Sequence, residues 1–136
     1  MNSSFPSDNL HHATNREYES HRIIPSSRLP GVTFRIVKMS FGRRVELTRR
    51  VRDLGQKIEF LEAGQDLKER IEATVLAGEI DRLYLAWGLT EVSGLMLDGE
   101  PATPNLVIEK GPEELTREIL QSIKAECSLS EEERKN

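Results

Sequence analysis

The sequence predicts an α+β, mostly α-helical domain, and three observations carry that expectation. Beyond residue 40, apolar residues recur at spacings of three and four. A single run near Phe34 alternates with a period of two. Ser, Asp, Thr and Gly stand where helices start and stop. At 136 residues and 15.5 kDa the chain has room for one domain with a modest core. Its 31% charged residues against 37% apolar ones favour thin helical packing over a thick interior.

Residues 1–28 hold Ser3, Ser4, Ser7, Ser20, Ser26 and Ser27, two prolines and all three histidines, with no useful apolar periodicity. They are expected to form a disordered N-terminal arm, leaving 29–136 as a single helical α+β domain. Val32, Phe34 and Ile36 alternate with Thr33, Arg35 and Val37, which predicts a short strand entered from the turn residues Pro30 and Gly31. Ser40 is the expected N-cap of a helix over 41–62, whose Leu47, Val51, Leu54, Ile58 and Leu61 form one stripe. Ala63 and Gly64 end it, the glycine being able to turn left-handed.

Asp66 caps a second helix ending near Trp87 and Gly88. Leu67 and Ile71 lie on one side of it, and Leu76, Ile80, Leu83 and Trp87 on nearly the opposite side, which predicts a central helix covered on two faces. Gly78 weakens its middle, and close packing is the expected compensation. Val92, Leu95 and Leu97 suit a second short strand before an Asp98-Gly99 turn, pairing with the first. Thr103-Pro104 opens a short helix that Gly111 stops. Pro112 restarts a helix with Leu115, Ile119 and Ile123 inward, and Ser130 with Glu133 reads as a capping box for a final turn.

The net charge of -4 conceals a polarity. Residues 1–60 carry eleven Lys or Arg against six Asp or Glu, whereas 61–136 carry eight against seventeen. A chain with one basic and one acidic half is suited to a charged partner or to copies of itself. Chemistry is harder to find. No glycine-rich phosphate loop occurs. His11, His12 and His21 lie far in sequence from the lone Cys127, so they form no metal-ligand pattern. Cys127 has only Glu126 and Ser128 beside it, and its phase with Ile123 reads as a buried small residue. These observations exclude no reaction by themselves, but they point to a non-enzyme with no cofactor and no metal. One cysteine, a polar N-terminus and short apolar runs point to a cytoplasmic protein without a membrane span.

Two binding readings compete for the helix over 41–62. Its Arg43, Arg44, Arg49 and Arg50 suit phosphates, which would make the chain a nucleic-acid-binding or regulatory protein. The charge nevertheless encircles the helix. Glu46 with Arg50, Arg49 with Asp53 and Asp53 with Lys57 are spaced to neutralise one another. As a protein-binding surface, the same arginines join Phe60 and Trp87 as candidate anchors, with homo-oligomerisation a further use of the polarity. The phase of Trp87 with Leu76, Ile80 and Leu83 also fits a core position.

From Trp87 onward a resemblance emerges. Trp87-Gly88-Leu89, Val92 to Gly94, Leu95 to Leu97, Asp98-Gly99-Glu100-Pro101-Ala102-Thr103, Gly111-Pro112-Glu113-Glu114-Leu115 and Glu118-Ile119 resemble a pattern in small phage and prophage proteins of the tail assembly chaperone type. The similarity spans about residues 40–130. It implies non-enzymatic work, in which the protein binds the tape-measure or tail-tube protein during virion assembly, and it carries over no catalytic residues.

Overall fold

The computed structural model describes residues 15–64 and 66–135, with side chains described through Ser128. Among these residues, five short strands and four helices follow in the order β1 (His21–Pro25), β2 (Thr33–Val37), α1 (Phe41–Glu62), α2 (Leu67–Gly88), β3 (Leu89–Ser93), β4 (Met96–Leu97), β5 (Glu100–Pro101), α3 (Pro104–Lys110) and α4 (Glu113–Lys135). The mostly helical α+β class is as the residue pattern predicts, with more strand than expected. An antiparallel sheet of order β1-β2-β3 packs one face on α4, α3 and the end of α2, and β4-β5 forms a separate hairpin.

The core explains which residues the sheet turns inward. Val32, Phe34 and Ile36 meet Leu115, Ile119 and Ile123 of α4, Val107 of α3 and Leu85 of α2. Leu89 and Val92 join them although they are three residues apart, an odd spacing that would put them on opposite faces of a regular strand. The register steps from Arg35↔Glu91 to Ile36↔Leu89, so Thr90 is an extra, bulged residue. Its Oγ1 donates to the Arg35 carbonyl at 3.1 Å and pins the bulge.

The expected disordered arm is corrected where the structure describes it; residues 1–14 lie outside the described residues. His21–Pro25 is a strand paired in full with Thr33–Val37, and Ser26 is buried. This order comes from partners rather than from local periodicity. The Ser26 and Ser27 hydroxyls and the Ser27 N–H all donate to the Glu118 carboxylate of α4, at 2.6, 2.9 and 2.7 Å. Lys38 N–H donates to the Ser20 carbonyl at 2.9 Å, and the Lys38 ammonium lies 5.0 Å from the Tyr18 ring centroid. The folded unit therefore starts before residue 29.

The capping signals behave as their chemistry requires. Ser40 accepts from Arg43 N–H, Asp66 from Lys68 N–H and Thr103 from Leu106 N–H. Asp98 and Gly99, at φ 50° and 82°, make the tight β4-β5 turn. Other details differ. Gly64 ends α1 without a positive φ, its N–H reaching the Leu61 carbonyl. The second strand is Leu89–Ser93, paired with β2, whereas Leu97 belongs to the small hairpin. No break occurs at Ser130, because α4 runs unbroken to Lys135.

The largest correction concerns α2. Its C-terminal half enters the core through Leu85, while its N-terminal half projects with α1 as a helical hairpin. α1 covers the side bearing Leu76 and Ile80, which are half-buried. Nothing among the described residues covers the other side, where Leu67, Ile71 and Val75 are 68%, 57% and 52% exposed. A Cβ added to Gly78 would meet no atom within 4 Å. The helix-propensity loss there, about 1 kcal/mol relative to Ala, therefore has no packing compensation among the described residues.

Candidate partner-binding surface

α1 is amphipathic in an unusual sense, with usable side chains on both faces. Leu47, Val51, Leu54, Ile58 and Leu61 turn toward α2; Leu47 is buried and the others half-buried. At 100° per residue, Phe41, Val45, Arg49, Arg52, Gln56 and Phe60 fall on the opposite, solvent side. Phe41 and Phe60 are 88% and 75% exposed and Val45 nearly half so. Two phenylalanines thus bracket two arginines over about 28 Å of helix.

The arginines divide by environment. Arg44 turns inward, and its Nη2 donates to the Cys127 carbonyl at 3.3 Å. Arg50 lies 3.9 Å from Glu46, the one ion pair of α1 among the described residues. The other two expected pairs, Arg49 with Asp53 and Asp53 with Lys57, do not form. Arg49 is exposed and Arg43 half-buried, and neither they nor Arg52 has an ion-pair partner among the described residues. Less of the positive charge is neutralised than the spacing alone implies.

Phe60 sits at the rim of a groove of about 750 Å³ between the two hairpin helices, with Leu61 and Leu76 as its apolar lining and Asp53, Lys57 and Glu72 around them. Of the sequence-expected anchors, the structure brings Arg49 and Phe60 onto one exposed face. Trp87 does not belong there. It packs against the core cluster with its Nε1 buried and without an acceptor among the described residues, as a core position would have it. Sequence reasoning placed Arg49 and Arg52 on the back of this helix but missed Phe41 and Val45 beside them. Their spacing of four was visible, but the stronger Leu47–Leu61 stripe drew the apolar reading to the inner face.

Elsewhere the structure assembles little that could do chemistry. Cys127 is half-buried rather than fully buried, beside Met39, Leu47 and Tyr84. No group of three His, Cys, Asp or Glu side chains is arranged to hold a metal among the described residues. His21 lies in β1, while His11 and His12 are outside those residues. Among the described residues no helix is long and apolar enough to cross a membrane. Comparisons with known protein families, with curated proteins and with solved structures find no match to this chain.

Proposed function

We propose that the chain is a non-enzymatic assembly factor of the phage tail chaperone type, working in the host-cell cytoplasm and holding a tape-measure or tail-tube protein on the outer face of α1. One observation carries the binding part of this reading. Phe41, Val45 and Phe60 stand exposed on the same face as Arg49 and Arg52. Aromatic residues and arginine are enriched among the residues that dominate interface energetics. The resemblance running from Trp87 to Ile119 supplies the class of partner.

The test is co-expression of a tape-measure fragment with the full chain. The fragment is expected to stay soluble with the wild type and to aggregate with the Phe41→Ser/Phe60→Ser variant. Equal solubility with both would sink the reading. The exposed phenylalanines make no core contact, so circular dichroism should show the variant folded.

A second reading has its own observation. Arg43, Arg49 and Arg52 have no ion pair among the described residues, which leaves them available to phosphates. Duplex DNA titrated at several salt concentrations separates the two. Binding at physiological salt within the non-specific range of about 10⁻⁴ to 10⁻⁶ M is expected for the protein-binding role. Sub-micromolar affinity, with a steep salt slope and loss on replacing Arg43, Arg44, Arg49 and Arg50 by Gln, would favour the nucleic-acid role.

A further inference from the structure

We propose that a cleft at the base of the helical hairpin binds a small organic anion, one carboxylate or phosphate group carried on a single ring or short apolar chain. The sequence prepares this cleft on one flank of α1. Arg44, Thr48 and Arg52 recur at intervals of four, which sets them in a row about 6 Å apart along the helix, beside the inward stripe that begins with Leu47 and Val51. The row supplies charge and a hydroxyl, and the stripe supplies apolar surface. Met39, from the link between β2 and α1, adds to that surface and is buried like Leu47. Tyr84 of α2 and Cys127 of α4 complete the lining around a volume of about 250 Å³.

The sign of the charge points to the ligand. Both charged side chains in the lining are arginines. Arg44 is half-buried, and its Nη2 donates to the Cys127 carbonyl at 3.3 Å, which places the guanidinium at the cleft wall. A carbonyl satisfies one N–H but brings no countercharge, so a partly desolvated guanidinium held this way gains most from an anion. Neither arginine has an ion pair among the described residues. The neighbouring carboxylates are engaged elsewhere: Glu126, next to Cys127, is held by Arg22 and the Met39 N–H, and Asp81, three residues before Tyr84, by Lys124.

Size and lining set the rest of the ligand. Sites for drug-sized ligands occupy roughly 300–1,000 Å³, so this cleft suits one ring rather than a nucleotide. The arginine fork matches carboxylate and phosphate oxygens, while the apolar residues hold the body of the ligand. A bare inorganic anion would leave the apolar surface wet, and a neutral ring would leave the charges unmatched. Both halves of the ligand are therefore required.

Phenyl phosphate is the probe, titrated into the isotopically labelled full chain and followed by NMR. Saturable shifts at Met39, Thr48, Val51 and Cys127 are expected, with a dissociation constant on the order of 1 mM, the affinity that a ligand of this size reaches at modest efficiency. Benzyl alcohol and inorganic phosphate should each bind at least about tenfold more weakly, having lost the charge or the ring. Arg44→Gln should raise the dissociation constant about tenfold or more, as loss of a hydrogen bond between charged groups does. Arg52→Gln, at an exposed position, should do the same and keeps the test decisive where Arg44→Gln fails to fold. No saturable shift at the cleft, shifts confined to another surface, equal affinity for benzyl alcohol or inorganic phosphate, or an affinity indifferent to Arg52→Gln would overturn the proposal. Arg44 and Cys127 are no part of the outer face of α1, so failure here leaves the co-expression test with Phe41→Ser/Phe60→Ser standing, and the reverse also holds.

Discussion

Removing the Glu118 carboxylate tests the structure where a chain segment is held by one side chain. Glu118 receives three short hydrogen bonds from Ser26 and Ser27, and Ser26 Oγ in turn accepts from the Arg28 and Leu29 N–H groups. Partial burial pushes the carboxyl up. The donors at Ser26, Ser27 and Arg28 outweigh it and hold the group below its ordinary value. Hydrogen bonds to a charged group contribute about 1.5–3 kcal/mol each, but these three share one acceptor and Ser27 is exposed. Glu118→Ala should therefore cost about 2–3 kcal/mol in total, which lowers Tm by about 8–12 °C for a chain of this size. A depressed carboxylate contributes stability that is present above its unfolded pKa and lost as pH falls through the folded one. Thermal melts followed by circular dichroism from neutral to acid pH should accordingly show the gap between wild type and Glu118→Ala narrowing below the usual carboxylate range. A gap under about 0.5 kcal/mol at pH 7, outside the magnitude argued from the hydrogen bonds, would refute the reasoning. So would a gap that persists unchanged into acid.

Other consequences follow from the same packing. A chain beginning at Leu29 should melt well below one beginning at Asn15, because it lacks β1 and both serines bound to Glu118; equal melting temperatures would show that the strand adds nothing. Leu85→Asp should abolish the cooperative melt by placing an unpaired charge in the core, whereas Phe60→Asp, on an exposed position, should shift stability by less than about 0.5 kcal/mol. Gly94→Ala should destabilise by at least about 1–3 kcal/mol, since Gly94 has φ 84° and an added Cβ would overlap the Gly31 carbonyl oxygen. Chemical denaturation of the purified variants measures each.

What could be read from residues alone divides along physical lines. Helix ends were legible because caps act over two or three residues: Ser40, Asp66, Thr103 with Pro104, and the Asp98-Gly99 turn all work locally. β1 was not legible. Its only well-placed apolar residue is the half-buried Ile24, and its order depends on β2 and on a carboxylate about ninety residues away. The Thr90 bulge hid the β3 register, since Leu89 and Val92 share a face only when one residue is extra. The two stripes of α2 were visible, but periodicity marks a face as apolar without saying whether this chain supplies its cover. That ambiguity turned Leu67 and Ile71 from expected core into surface.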